Sequence, residues 1–564
     1  MSPAVFLPLL LFLGICLVPV WLLSKQRGAL AQDSFISPGY MPPEAIRNAS
    51  IAASLRLAML APIFLLGATG EFWPVIVAAA SSAAGIYLIY LMRHRLLPFL
   101  ENALAGDRSI TVHAFIAEEC GGDRRAGVIA AGVTLLVLVA VIAWEAFALY
   151  GFFALFANDA VARGIAFAGL LLAVLYAVPA GHPGVIQSGQ LQLGAMFLAL
   201  FAAGVLLLYQ YVSALTPAPF YTAAGIGLAA ICCVSILIYR RSRYVETGPV
   251  DSGSRPARLL GKFGKALNPV ISVFVVLIIV LAGMAFSATT TPLPAAAADP
   301  ASGLPPIAFA ALILLPLLYP LADVVHWQRL AAIEKNRPAY QGDTARWLKA
   351  LRGIFRIYAF EKPLLWLIIA SLGAISVAAL APSDPAQVLQ ALAENAAAGD
   401  NPFAAAAFSL LLAAATMIAA AAMAASFSAG LCTIHYDIVP AAGDALSGNR
   451  GGRLFFLAIV VALIALVETS AISFTSIGFL ALVFAFLSPL LAFVPLVLGP
   501  AATGRSVSPA WAGLILVAGM ASAVGGLFGY AATGNDSWLW ATVPASAGVS
   551  VLLFAVGAYG SRIR

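Results

Sequence analysis

The sequence predicts an all-α integral membrane protein, on three observations. Of 564 residues, 62% are hydrophobic and only 10% are charged, where an ordinary soluble domain carries roughly 25%. Mean hydropathy is +0.99. The apolar residues also fall into runs of about 20, the length a helix needs to cross the hydrocarbon core. So little polar surface cannot cover a water-soluble globule of this size, and the spare apolar surface must face lipid.

Fifteen such runs lie near 3–24, 48–68, 73–93, 128–156, 161–180, 188–211, 222–241, 269–288, 306–326, 363–382, 403–432, 454–474, 476–498, 509–530 and 539–560. Barrel strands are ~10 residues long and alternate in polarity. These runs are longer and apolar all round, and the helix is then the spanning structure that satisfies its own backbone. Ala29-Leu30-Ala31 resembles a signal-peptide cleavage site. No Lys or Arg precedes the first run, however, and Lys25 and Arg27 follow it. The run therefore reads as a retained helix.

Positive charge marks alternate loops. Lys25 and Arg27; Arg93, Arg95, Arg108, Arg124 and Arg125; the cluster from Arg240 to Lys265; the basic stretch 329–362; Arg450 and Arg453; and Arg562 and Arg564 form one set. The opposite set has almost none, with Arg163 as its visible exception. The positive-inside rule makes the first set cytoplasmic. Fifteen spans then put the N-terminus outside and the C-terminus inside a bacterial-type plasma membrane. This retention of Lys and Arg also accounts for the net charge of +6.

No basic–aromatic stretch points to nucleic acid, and the partners expected are lipid and a small solute. Cys16, Cys120, Cys232, Cys233 and Cys432 have no metal spacing and read as small core residues. No phosphate loop, metal cluster or nucleophile–base spacing suggests an enzyme. Within 343–358, Trp347, Leu348, Leu351, Phe355 and Tyr358 share one helical face and basic residues the other. That pattern suits a helix lying in the headgroup layer. Segment 94–125 is similar but more acidic.

Charge inside a membrane is costly and marks candidate function. Arg56, Glu145, Asp323, His326 and Glu468 qualify. Arg56 lies about eight residues into its span, ~12 Å from the near end. Pro62 and Gly67 follow it, so an interrupted helix is expected there. The choice for Arg56 is between a buried, partnered guanidinium and one that snorkels to the headgroups. Asp323 follows Pro316 and Pro320 in a second candidate broken helix and is the first choice of counter-charge. Glu145 and Glu468 sit past the midplane, where a carboxylate can carry a transported proton or make a structural hydrogen bond. Ser426 and Ser428 offer hydroxyls either to a cation or back to their own helix.

Several segments, in order, resemble the sodium/solute symporter family. Asn48-Ala49-Ser50-Ile51-Ala52-Ala53 resembles its first core helix. The loop Gly181-His182-Pro183-Gly184-Val185-Ile186-Gln187-Ser188-Gly189-Gln190-Leu191-Gln192 resembles its Gly-x-x-Ala-Val-x-x-Thr-Asp-x-x-Gln motif. Trp327-Gln328-Arg329-Leu330-Ala331-Ala332 resembles the end of its sixth core helix, and Tyr436-Asp437-Ile438 the close of its eighth. The resemblance implies a LeuT-type five-plus-five inverted repeat with about 15 transmembrane helices. The first repeat would cover 48–211 and the second 306–498. An extra helix at 1–24, an inserted pair at 222–288 and two helices at 509–560 lie outside the repeats.

The resemblance also implies a sodium site of backbone carbonyls from Ala52 and Leu55 with hydroxyls near Ser426 and Ser428. That site looks degenerate. Arg56 adjoins the carbonyls, and the motif's Asp is Gly189 here. Two unit cations ~4 Å apart repel by ~4 kcal/mol at an effective dielectric of 20. Arg56 is therefore expected to take the place of sodium as a tethered cation bridging the first and eighth core helices. No cofactor is expected; the coupling ion, if any, is sodium or a proton. The leading expectation is sodium-independent secondary transport by alternating access. A conventional sodium-coupled symporter and a transporter-like sensor or partner subunit are the alternatives. Met59, where the family often places a polar contact, hints at a less polar solute.

Overall fold

The structure is a computed structural model. It describes residues 43–106, 108–178, 181–196 (save 191 and 195), 304–340, 342–380, 387–391, 394, 402–442, 449–469 and 476–560. The expected spans 3–24, 222–241 and 269–288, and most of 188–211, lie outside these, as do Cys16, Cys232 and Cys233.

Helices make up the framework. The first half holds α1 (Pro43–Ser54), α2 (Leu57–Ala68), α3 (Phe72–Leu91), α4 (Arg93–Ala105), α5 (Val112–Glu119), α6 (Arg124–Ala154) and α7 (Asp159–Ala177). Residues 181–190 form α8, so the segment expected as a loop is helical. The second half holds α9 (Pro306–Ala322), α10 (Val324–Glu334), α11 (Thr344–Leu380), α12 (Pro402–Thr433), α13 (Asn449–Thr469), α14 (Ile477–Leu487) and α15 (Phe493–Thr503). Then come α16 (Pro509–Thr533) and α17 (Ser537–Gly560). Among the described residues nine spans are long and apolar enough to cross a membrane, and two bent pairs raise the number to eleven. These eleven coincide with eleven of the fifteen apolar runs.

The bent pairs occupy corresponding places in the two halves. α1 and α2 meet at 65°, and α9 and α10 at 47°. The first break falls at Leu55–Arg56, a turn and a half before the expected Pro62, which sits inside α2. A buried carboxylate caps it. In a continuous helix the N–H of Leu57 would bond the carbonyl four residues back; here it donates to the Glu145 carboxylate. The second break falls on Asp323, whose backbone is extended at φ −80°, ψ 112°.

α12 is almost wholly buried and packs on α6 and α7, whereas α13 and α16 expose most of their length. α11 lies against α2 and α3. A Cβ on Gly67 would strike the Ala370 backbone, and one on Gly373 the Phe64 backbone. Such small residues let two membrane helices approach closely. The segment 343–358 does not lie apart in the headgroup layer: it continues unbroken into the span as α11, with Trp347 and Leu351 fully buried.

Side-chain bonds sort the loops onto two faces, as the charge alternation implies. On one face Arg337 bonds Glu101, and Asp437 bonds residues just before and within α5. On the other, Arg163 pairs with Asp159 and Glu468. The exceptional arginine of the uncharged loop set is thus neutralised where it stands.

Candidate substrate site at the paired helix breaks

Both breaks open on one small cavity lined by α1, α2, α9, α10, α11, α12 and α14. Arg56 and Asp323 reach it from the breaks themselves, and Met59 and Ser426 line it too. The expected gathering of Arg56, Asp323, Met59 and Ser426 is therefore present.

Arg56 is buried, and its Nη2 donates to the Tyr319 hydroxyl at 2.8 Å. It does not snorkel. Tyr319 belongs to α9, so the guanidinium reaches toward the sixth core helix rather than the eighth. No carboxylate lies within 4 Å of it among the described residues. Asp323, the expected counter-charge, lines the same cavity without pairing directly with it. Asp323 is otherwise committed: it accepts from the Val325 N–H at 3.0 Å and pairs with His326 Nδ1 at 3.0 Å. His326 Nε2 in turn meets the Tyr358 hydroxyl at 2.9 Å.

Glu145 stands behind the first break. Its Oε2 accepts from Leu57 N at 2.9 Å and, more weakly, from Ala58 N at 3.5 Å. A carboxylate there satisfies orphan donors and sits favourably at the positive end of α2. Of the two roles expected for Glu145, the geometry displays the structural one. Trp144 beside it packs edge-on against Phe479.

Glu468 is not part of this cavity. α13 is described over Asn449–Thr469, and Glu468 lies near the end of that described stretch. There its side chain is 57% exposed and bonds Arg163 Nη1 at 2.5 Å.

The expected sodium ligands are only partly assembled. Ala52 and Leu55 are buried beside the break. Ser426 lines the cavity, but Ser428 turns to His182 Nδ1 at 3.4 Å. Gly189 packs on α1 so tightly that a Cβ would stand 3.0 Å from the Ala49 Cβ and 3.1 Å from its Cα. Any side chain there would need Ala49 to give by a few tenths of an ångström.

Three groups were missed as site residues. Arg329 and Lys362 line the cavity, although their place in the basic stretch 329–362 marked them only as topology charges. The signal for Lys362 was the unbroken helical periodicity from 344 into the next span. Tyr319 carried no signal beyond lying four residues before Asp323. A separate buried cluster lies on the loop side. Asp437, in one turn of π-helix at Ile434–Ile438, accepts from Ser109 at 2.7 Å and Thr111 at 2.9 Å, and meets His113 Nδ1 at 2.8 Å. His113 Nε2 reaches Thr134 Oγ1 of α6 at 2.7 Å.

Helices broken at matching places in two halves, with both breaks on one central cavity, define an all-α multi-pass membrane protein of the LeuT type. A solved structure of that fold covers 100% of this chain and 98% of its own, at 15% identity and a TM-score of 0.60. It is a Na+-coupled sialic acid symporter, captured substrate-bound and outward-open and described as revealing a novel Na+-site. No family profile matches the chain, and none of the curated proteins does.

Proposed function

We propose that the chain is a secondary transporter, a divergent relative of the sodium/solute symporters, that moves a small organic solute by alternating access without sodium. The observation that carries this reading is the convergence of two broken helices on one cavity. Irregular backbone at membrane depth is tolerated where it lines a cavity, and transporters of this architecture bind substrate at such breaks.

Arg56 supplies a fixed positive charge where the family would hold sodium. Three features support its taking that place: the guanidinium at the break, the Gly189–Ala49 packing where an aspartate is expected, and the engagement of Ser428 by His182. A sodium ion ~4 Å from the guanidinium would be repelled by ~4 kcal/mol, roughly a thousandfold in affinity. Coupling then falls to a proton, to exchange, or to none. Sodium coupling like that of the similar solved protein is the alternative.

The test is uptake by the purified full chain in proteoliposomes, against empty vesicles, for a panel of carboxylates, amino acids and sugars. Protein-dependent, saturable uptake of any one supports transport. No uptake of any favours the sensor or partner-subunit reading instead.

A further inference from the structure

We propose that the cavity binds a small, largely apolar monocarboxylate, held between Lys362 and the Arg56–Arg329 pair of guanidinium groups. The proposal deepens the transport reading and rests on it only for calling the bound anion a substrate.

Three cationic side chains line the cavity, Arg56, Arg329 and Lys362, against one carboxylate, Asp323. All four are buried. Adding Glu145, which stands close enough to Arg56 to interact with it, still leaves one positive charge without an opposite. An uncompensated buried charge is expensive. One anion in the cavity removes the imbalance, and a monoanion removes it completely.

The hydrogen-bond count agrees. Lys362 makes no hydrogen bond to any described residue; its ammonium stands only over the Trp366 ring, 5.4 Å from the centroid. Arg329 Nε is buried without a partner, and Nη1 makes one long contact of 3.5 Å to the Ser50 carbonyl. Arg56 spends one donor on Tyr319. A guanidinium has five donors and an ammonium three. This is donor excess aimed at one space, and a carboxylate supplies acceptors only.

The helix breaks do not supply the anion site. Half-helix N-termini would ordinarily serve that purpose, but here Glu145 covers α2 and Asp323 covers α10. Recognition passes to the side-chain cations.

The rest of the wall sets the class. Met59, Leu315, Trp366, Phe484 and Leu487 give an apolar surface for the body of the ligand. An amino acid would also need an anion for its ammonium, and Asp323 is already committed to Val325 and His326. A polyhydroxylated acid would need more hydroxyl partners than Ser54, Ser426 and Tyr319 provide.

The experiment is titration calorimetry on the purified full chain in detergent micelles, in a chloride-free buffer. The ligands are acetate, propionate, butyrate, butyramide, alanine, glucose and chloride. Saturable butyrate or propionate binding, with butyramide at least tenfold weaker, is expected. K362Q should weaken carboxylate binding at least tenfold and K362R should restore most of it, with circular dichroism and gel-filtration profiles unchanged. Carboxylate binding without flux would leave this inference standing while removing the transport reading. Butyramide binding equal to butyrate, binding of alanine, glucose or chloride alone, K362Q binding as well as the wild type, or no binding by any ligand, overturns it.

Discussion

Glu145 accepts the backbone N–H of Leu57 at 2.9 Å across 88 positions of sequence, capping the half-helix that follows the first break. Glu145→Ala leaves a buried donor without a partner, a loss of about 1–3 kcal/mol. Glu145→Gln keeps an acceptor and loses only the favourable charge at the helix end, about 0.3–2 kcal/mol. Melting of the detergent-solubilised protein should therefore fall more for Ala than for Gln. A proton-carrying role alone would give the two substitutions equal effects on uptake and neither an effect on melting.

A side chain at Gly189 would press on Ala49, its Cβ standing 3.0 Å from the Ala49 Cβ. Gly189→Asp, which restores the family's residue, should destabilise by about 1–3 kcal/mol through overpacking. It should not create a sodium dependence of uptake. Ala49→Gly in the same chain should recover part of the lost melting temperature, because it removes the Cβ that an added side chain would meet.

Asp437 ties the segment carrying Ser109, Thr111 and His113 to the end of α12. Removing one member of a buried, charge-bearing cluster costs about 3–5 kcal/mol. Cys120, next to α5, reports on it. Burial pushes its thiol up to about 12, so it should resist alkylation in the native protein. Asp437→Ala should raise the labelling rate of Cys120 at least about a hundredfold, in a chain whose other four cysteines are serine. An unchanged rate would separate the cluster from the docking of α5.

Glu468 and Arg163 form an exposed pair, and such pairs contribute about 0–1 kcal/mol. Glu468→Gln should leave uptake rates and their pH profile as they are and shift melting only slightly. Loss of uptake would return Glu468 to the permeation path.

Much of the scaffold was legible in the sequence, because apolar length is a coarse signal that survives divergence. Runs such as 73–93 and 509–530 correspond to α3 and α16 within three residues. The broken helices were legible through Arg56 and Asp323 and the prolines near them. The position of the first break was not, since the carboxylate that caps it comes from another helix. The polar wall of the cavity was half legible. Arg56 stood out against an apolar run, whereas Arg329 and Lys362 sat among loop charges and were counted as topology. Only the inward extension of α10 and α11 brings them to the breaks. Glu468 misled for the opposite reason: an apolar run reads as interior all along, whereas its carboxylate meets the exposed Arg163 from another helix.

The most direct test of the account is uptake by the full chain in proteoliposomes in sodium chloride and in choline chloride, with butyrate, propionate, alanine and glucose as labelled solutes. The account predicts protein-dependent uptake of a carboxylate at the same initial rate in both salts. Uptake that collapses when choline replaces sodium would contradict it.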